Sequence, residues 1–566
     1  MKYLLSIDFG NCNVKTALYD ATLRVAENLP EAVREFEKVK PLQIGGGFSP
    51  DCLKNIAYVD ESETYVGEDP DITVPKEVIE HIKYYMTKSN WSMPIGPRNN
   101  RKMTAMEIAA EEYVNIYQRA KEPVNDAPDF HFDELILTVP VAFSEMQKYD
   151  IRKKIEDYLP DIQLDGIITE PFAGLFSCYD LIMDASQKKP FQLLVFDIGA
   201  GTLDMCIFEI TPPTDAQPPS IELKISRGIS LGGDDLTQLL YDKYLAESLN
   251  PIREKETDSQ FYAFYLANDS IPEEHKQPDS KEYLNNYRKI RQRVKEKYFQ
   301  KAQNLKHYLC TAKDPDAFVE FFNAEIDLPG GLTYRQFEEL LDEEKIFELI
   351  QEKILEMFSI AAIKKEDITK ILMIGGTSAV PYFKTKLMDF FTLPDDAFVG
   401  FSKLSFNWYN AVAVGACVYQ LYKQQNLKMT NRISYEVGIL KQENGTKEYK
   451  LLRSMCLPDT EHSDPQPVYL DEDGDFLSLK MYQLFDDSAA KFEQDFDTIE
   501  QLEEVKKNII DSLIYMGKFQ LDPADFQKDT RYFLSVYFNE NGILTGIFSH
   551  DPAQEEFIQE IPITFK

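Results

Sequence analysis

Two stretches of this chain, far apart in sequence, follow one design. Residues 4–19, LLSIDFGNCNVKTALY, overlay residues 193–208, LLVFDIGAGTLDMCIF, without a gap. Leu4/Leu193, Leu5/Leu194, Asp8/Asp197 and Gly10/Gly199 coincide, and the flanking apolar positions match in type. Each copy is an apolar run, a tight turn and a second apolar run, which reads as a hairpin of buried strands. Glycines in such a turn let backbone N–H groups approach a phosphate with no side chain in the way. An aspartate that ends the first strand can hold a hydrated Mg2+, and Thr202 offers a hydroxyl to orient a water. The duplication predicts two similar halves facing each other, with a phosphate chain and a metal gripped between them.

At 566 residues the chain exceeds the roughly 250–300 residues at which one core stops growing, so more than one domain is expected. Its net charge of −34 argues against nucleic acid and against anionic membranes as partners. Cys12, Cys52, Cys178, Cys206, Cys310, Cys417 and Cys456 show no C-x-x-C spacing. Several fall in apolar runs, so they read as buried reduced thiols rather than disulfides or a zinc site. Asp8 interrupts the N-terminal apolar run before a signal peptide could form, and no run is long enough to span a bilayer. A cytoplasmic location is the expectation.

After the first hairpin, Lys102–Ala120 shows helical spacing, and residues 134–143, ELILTVPVAF, read as a buried strand. A short strand at Gly166–Thr169 precedes Glu170-Pro171, which opens a helix of small residues, with Pro placed where its missing N–H costs nothing. After the second hairpin, GISLGGDDL is a Gly-Gly turn entering a helix, with two aspartates where negative charge is favoured. Residues 251–300 are polar and carry little core. Thr333 is a helix N-cap, ILMIGG is a strand ending in a glycine turn, and AVAVGACVYQLY is a helix small enough to pack closely. A polar linker follows near 423–432. Beyond it come short strands punctuated by Asn444-Gly445, Asp473-Gly474 and Asn541-Gly542, interrupted by one helix whose capping box is Thr498 with Gln501. This last part reads as a β-sandwich.

Taken in order, these signals resemble the DnaK-type heat shock protein 70 chaperones of the actin-like ATPase superfamily. DFGNCN resembles the first phosphate loop of that family and FDIGAGTLD the second. LTVPVAF, the Glu170-Pro171 helix, LGGDDL, LMIGGTSAVP and AVAVGA match the intervening segments, and GKFQLD (Gly517–Asp522) and NENGIL (Asn539–Leu544) resemble turns of its peptide-binding β-domain. The resemblance implies an α/β fold. A two-lobed actin-like ATPase domain, a duplicated ribonuclease H-like unit, would span 1–424 with an insertion at 251–300. A linker would follow at 425–432, then a β-sandwich at 433–566 without a helical lid. It implies ATP and Mg2+ as ligands. Asp8 and Asp197 would hold Mg2+ through its waters. Gly10, Asn11 and Asn13 would form one phosphate loop and Gly199, Ala200, Gly201 and Thr202 the other. Thr202 would position the attacking water, while Glu170 and Asp204 would tune the metal and that water. Gly232, Gly233, Gly375, Gly376 and Thr377 would surround ribose and phosphates. Lys306 and His307 would face the nucleotide, His307 standing where the family has an arginine over adenine.

Three departures from the family pattern bear on activity. Asp71 occupies the position of the catalytic lysine, and a carboxylate cannot neutralise phosphoryl charge; Lys76 would substitute only after a loop rearrangement. Tyr409 stands in place of an aspartate that contacts adenosine, and the linker keeps only Leu427 and Met429 of an acidic, leucine-rich stretch. The expectation is an ATP-binding, chaperone-like protein with slow or no hydrolysis that binds extended polypeptide. Its implied partners include a J-domain-type or nucleotide-exchange co-chaperone. A nucleotide-gated scaffold or pseudo-ATPase stays open beside it. An actin-like filament protein or a sugar or acetate kinase would share the two hairpins, but the appended β-domain and GGDDL count against both.

Overall fold

The computed structural model describes residues 3–563 apart from 26–30, 46–51, 60–63, 68–76, 87–90, 96–100, 125–130, 161–163, 185, 215, 247–298, 300, 312–313, 324–327, 400–407, 426–427, 444–445, 456, 474–475, 485–498, 529, 539–542 and 551–556. Asp71, Lys76, Leu427, Thr498, the turns at Asn444-Gly445 and Asn541-Gly542, and all of 251–300 but residue 299 thus lie outside the described residues.

The chain folds as mixed α/β, and its two largest sheets are wired alike. Strands β1 (Tyr3–Phe9), β2 (Asn13–Asp20), β3 (Val39–Leu42), β4 (Glu134–Val139) and β5 (Leu164–Thr169) run in the order β5-β4-β1-β2-β3, with Leu53–Lys54 pairing β2. Strands β6 (Phe191–Ile198), β7 (Leu203–Thr211), β8 (Ser220–Ile229), β9 (Ile368–Ile374), β10 (Phe398–Val399) and β11 (Lys428–Thr430) run β10-β9-β6-β7-β8-β11. In each sheet the first hairpin strand pairs antiparallel with its partner and parallel with a strand that arrives by a crossover. The registers also coincide: Asp8 lies opposite Lys15, and Asp197 opposite Asp204. The overlay read from sequence is therefore a duplication in space.

Strand alternation explains why the β6 run is apolar without interruption. Leu193 and Val195 face one core, while Leu194, Phe196 and Ile198 face another, so both sides of the strand are covered. The first of these cores lies between the two sheets. It gathers Leu4 and Ala17 from the first sheet, Leu193 and Cys206 from the second, and the helices Glu170–Phe176 and Ala411–Gln424. Those helices cross so closely that a Cβ on Gly415 would sit 1.8 Å from the Ala173 carbonyl oxygen. Ser6 Oγ donates to the Ala413 carbonyl at 2.6 Å, tying the second helix to β1.

The segment read as a linker is not free chain. β11 adds to the edge of the second sheet, parallel to β8, with Met429 opposite Ile221. Arg432 pairs with Glu222 at 2.8 Å and also bonds the Leu223 carbonyl. Polar composition hid this strand, because an edge strand needs only its backbone to pair. Beyond it, Glu436–Glu443, Thr446–Arg453, Asp471–Asp473, Phe476–Leu484 and Ile514–Leu521 form one antiparallel sheet. Gln466–Val468, Tyr532–Phe538, Leu544–Ser549 and Phe557–Pro562 form a second. Val437, Leu479, Phe519, Leu534 and Phe548 fill one core from both. This β-rich part touches the rest through Ser434 Oγ, which donates to the Val141 carbonyl at 3.2 Å, and through Gln483, whose Oε1 accepts from Glu145 N at 3.2 Å.

The helix crossing sets two effects against each other. Ala is favoured over Gly by about 1 kcal/mol inside a helix, but a Cβ at 415 meets backbone that can yield only if the helices separate. Gly415→Ala is expected to lower the unfolding free energy in urea by at least about 2 kcal/mol; a gain would show that the helices are not in this contact.

Candidate functional site

The two hairpin turns share one local construction and meet each other. Gly10 N donates to Asn13 O at 3.1 Å, and Gly199 N donates to Thr202 O at 2.9 Å. A Cβ on Gly201 would come 2.3 Å from Asn11 Nδ2, so the second turn lies directly against the Asn11 side chain of the first. Three further segments close on the second turn. Gly233 N donates to Gly199 O at 3.0 Å, Asp234 N to Ala200 O at 2.7 Å, and Thr377 Oγ1 to Gly199 O at 2.7 Å. Gly232 fits only without a side chain, since its Cβ would lie 2.3 Å from Ala200 O. Gly375 needs its φ of +82°, and its Cβ would meet Asp197 Oδ1 at 2.5 Å. A Cβ on Gly376, by contrast, meets none of the described residues within 4 Å.

Buried charge gathers at the ends of these strands. Asp8, Glu170, Asp197 and Asp204 are all buried. Lys15 Nζ pairs with Asp8 at 3.2 Å, Thr138 Oγ1 donates to Asp8 at 3.3 Å, and Val141 N donates to Asp204 Oδ1 at 3.1 Å. Thr202 also hydrogen-bonds Asp204 through its side chain. Lys83, from the short helix Ile82–Met86, pairs with Glu170. Asp197 Oδ2 is buried with no partner among the described residues. Burial, then the charges of Glu170, Asp204 and Asp8, push the Asp197 carboxyl well above the usual range. Asp204 is pushed up to about 7, by burial first and then by Glu170. Burial also raises Glu170, with Asp8 adding to the effect and Lys83 opposing it. For Lys15, burial alone would lower the ammonium, but Asp8 and its neighbours outweigh that and hold it above its ordinary value.

Of the residues expected from sequence, Asp8, Gly10, Asn11, Glu170, Asp197, Gly199, Ala200, Gly201, Thr202, Asp204, Gly232, Gly233, Gly375 and Thr377 are brought together by these contacts. Lys306 joins them indirectly, its Nζ donating to Gly233 O at 2.6 Å and to Thr237 Oγ1 at 2.9 Å. His307, the next residue, is exposed, and the Asn13 side chain is exposed as well. Tyr409 lies in the single turn Trp408–Asn410 that leads into the Ala411–Gln424 helix. Sequence reasoning missed Lys83 and the pairing of Lys15. A lysine in a five-residue helix carries no motif, and only the register of β1 against β2 puts Lys15 opposite Asp8.

The residues present fit a nucleotide with a divalent cation. Four buried carboxylates face two paired lysines, an excess that one divalent ion would balance when all are ionised. Asp197 Oδ2 is a hydrogen-bond acceptor with no partner among the described residues, and the second turn, Gly199–Thr202, is partly exposed. An Hsp70 protein family model matches residues 268–430. Over those residues the chain is similar to the Hsp70 family. The matched family binds ATP, usually with Mg2+. The matched stretch holds Lys306, His307 and the Gly375-Gly376-Thr377 turn, while both hairpins lie before it. Among the described residues no helix is long and apolar enough to cross a membrane.

The like-charge cluster makes a prediction about stability. A carboxyl whose folded value is raised favours the protonated folded state, so its penalty is absent below the unfolded value near about 4 and grows as pH rises past it. Asp197→Asn removes one of these charges. In urea unfolding without nucleotide, the variant is expected to exceed wild type by about 1–3 kcal/mol at neutral pH, with the gap closing toward about pH 4. A variant less stable at both pH values contradicts the cluster as drawn.

Proposed function

We propose that this chain is an Hsp70-type protein that binds Mg-ATP between two actin-like lobes spanning 1–424, hydrolyses it slowly, and binds extended polypeptide through a β-sandwich at 433–566. The observation that carries the nucleotide site is the meeting of the two glycine turns over a buried carboxylate cluster whose Asp197 Oδ2 is unpartnered. Mg2+ would offset the charge of the phosphates and of Asp8 and Asp197. Gly10, Asn11, Gly199, Ala200 and Gly201 hold the phosphate chain with backbone and amide groups. Thr202 orients the attacking water. Asp204, bonded to Thr202 and with its carboxyl pushed up to about 7 by burial and Glu170, accepts the proton that this water loses. Lys83 supplies beside Glu170 the positive charge that Asp71 does not. Gly232, Gly233, Gly375, Gly376 and Thr377 bound the nucleotide, with Lys306 beneath them and His307 toward the base.

Peptide recognition rests on the paired antiparallel sheets, where backbone hydrogen bonding suits an extended segment without demanding one sequence. Coupling between the two parts has a short route. Val141 donates its N–H to Asp204 and accepts from Ser434 through its carbonyl.

One observation favours a second reading, a scaffold that holds ATP without breaking it. The two described lysines at the acidic cluster are already paired with carboxylates, Lys15 with Asp8 and Lys83 with Glu170. Single-turnover ATP hydrolysis by wild type, Thr202→Ala and Lys83→Met decides between them. The expected result is slow turnover in wild type that falls by about 100-fold in either variant. Tight binding with no turnover in wild type selects the scaffold, and turnover unchanged in both variants rejects the site.

A further inference from the structure

Beside the two glycine turns, three side chains of different chemistry converge from three separate segments. Cys12 lies in the first hairpin turn, His81 directly precedes the helix Ile82–Met86, and Asp234 is the second residue of the helix Gly233–Leu240. Cys12 Sγ lies 4.0 Å from His81 Nδ1 and 3.9 Å from Asp234 Oδ1, and His81 Nδ1 lies 3.5 Å from Asp234 Oδ2. One ligand atom from each of the three falls within 4.8 Å of the others. His81 holds a left-handed backbone, φ 56°, to present its ring there.

We propose that Cys12, His81 and Asp234 form a Zn2+ site that ties the half of the molecule built on the first sheet to the half built on the second. Tetrahedral zinc with bonds of about 2.0–2.3 Å to S, N and O places its ligand atoms about 3.3–3.6 Å apart. Two of the observed separations, 4.0 and 3.9 Å, exceed that range by little and the third, 3.5 Å, lies within it; the two to Asp234 reach different carboxylate oxygens, so rotation of side chains would be needed to close the triangle on one ion. A thiolate with an imidazole selects zinc over the hard cations Mg2+ and Ca2+, which take oxygen ligands. Three protein ligands leave the fourth position to water or an outside ligand. All three side chains are partly exposed, which gives an ion a way in. The local charge is mixed. Lys15 and Lys306 lie near the site, Lys306 being hydrogen-bonded to Gly233 and Thr237, while Glu80 and Asp235 add negative charge.

The scattered cysteines gave no C-x-x-C spacing, and the sequence therefore pointed away from zinc. Spacing is silent when each ligand comes from a different segment. The site also sits against the second phosphate turn, since Asp234 N bonds Ala200 O. An ion there would restrain the opening of the cleft between the halves. The ligand set is independent of whether nucleotide binds, so failure of ATP binding would leave this inference standing.

The test uses the full chain stripped with a chelator. Zn2+ is titrated by calorimetry and Co2+ by absorption, in wild type, Cys12→Ser and His81→Gln. Wild type is expected to bind one Zn2+ and to give a thiolate-to-cobalt charge-transfer band. Each variant should weaken Zn2+ binding by more than the roughly 10–100-fold that loss of a ligand's hydrogen-bond partner costs, and Cys12→Ser should lose the band. In wild type alone, Zn2+ should slow alkylation of Cys12 mapped by peptide mass, a readout that survives if a variant fails to fold. No saturable Zn2+ binding, a cobalt spectrum without the thiolate band, or an unchanged rate of Cys12 alkylation overturns the proposal.

Discussion

The architecture depends on a charge problem. Asp8, Glu170, Asp197 and Asp204 are buried together at the ends of two equivalent strands, where like charges repel and water cannot screen them. Folding alone gains nothing from such a cluster, because apolar residues at these positions would be cheaper to bury. Lys15 and Lys83 offset part of it, and Thr138, Val141 and Thr202 supply hydrogen bonds. What remains is negative, concentrated and open at Asp197 Oδ2. A fold that keeps this arrangement is built to receive positive charge.

Duplication builds the cluster, and divergence makes it useful. Equivalent registers put Asp8 opposite Lys15 in one hairpin and Asp197 opposite Asp204 in the other. The first copy is thereby self-neutralised, and the second is left acidic. The turns diverged too: Asn11 of the first presses on Gly201 of the second. The close crossing at Gly415 and Ala173 lies in the core between the two sheets, so packing far from the turns helps fix their separation.

Much of this was legible in the sequence, and the reasons differ by residue. The hairpins showed because buried strands leave apolar runs and tight turns leave glycines. The likeness of the two halves followed from repetition of the same hairpin. Lys83 was illegible because its role comes from a tertiary contact with Glu170, eighty-seven positions away. β11 was illegible because its polar residues pair through backbone alone. The Cys12, His81 and Asp234 triangle was hidden for a similar reason, its members coming from three segments without motif spacing.

The Ser434–Val141–Asp204 contacts show that the β-rich part and the acidic cluster share a single residue of chain. All of this presupposes that the space between the turns is a nucleotide cleft, and Gly376 offers the most direct test of that claim. A Cβ there meets no described residue within 4 Å, so a substitution should leave folding intact while filling the space. Calorimetric titration of Mg-ATP into wild type and Gly376→Val, with thermal melts as the control for folding, makes the comparison. The account predicts saturable binding in wild type, lost by about 10-fold or more in a variant that melts like wild type. Equal affinity in both proteins, or no binding in wild type, would contradict it.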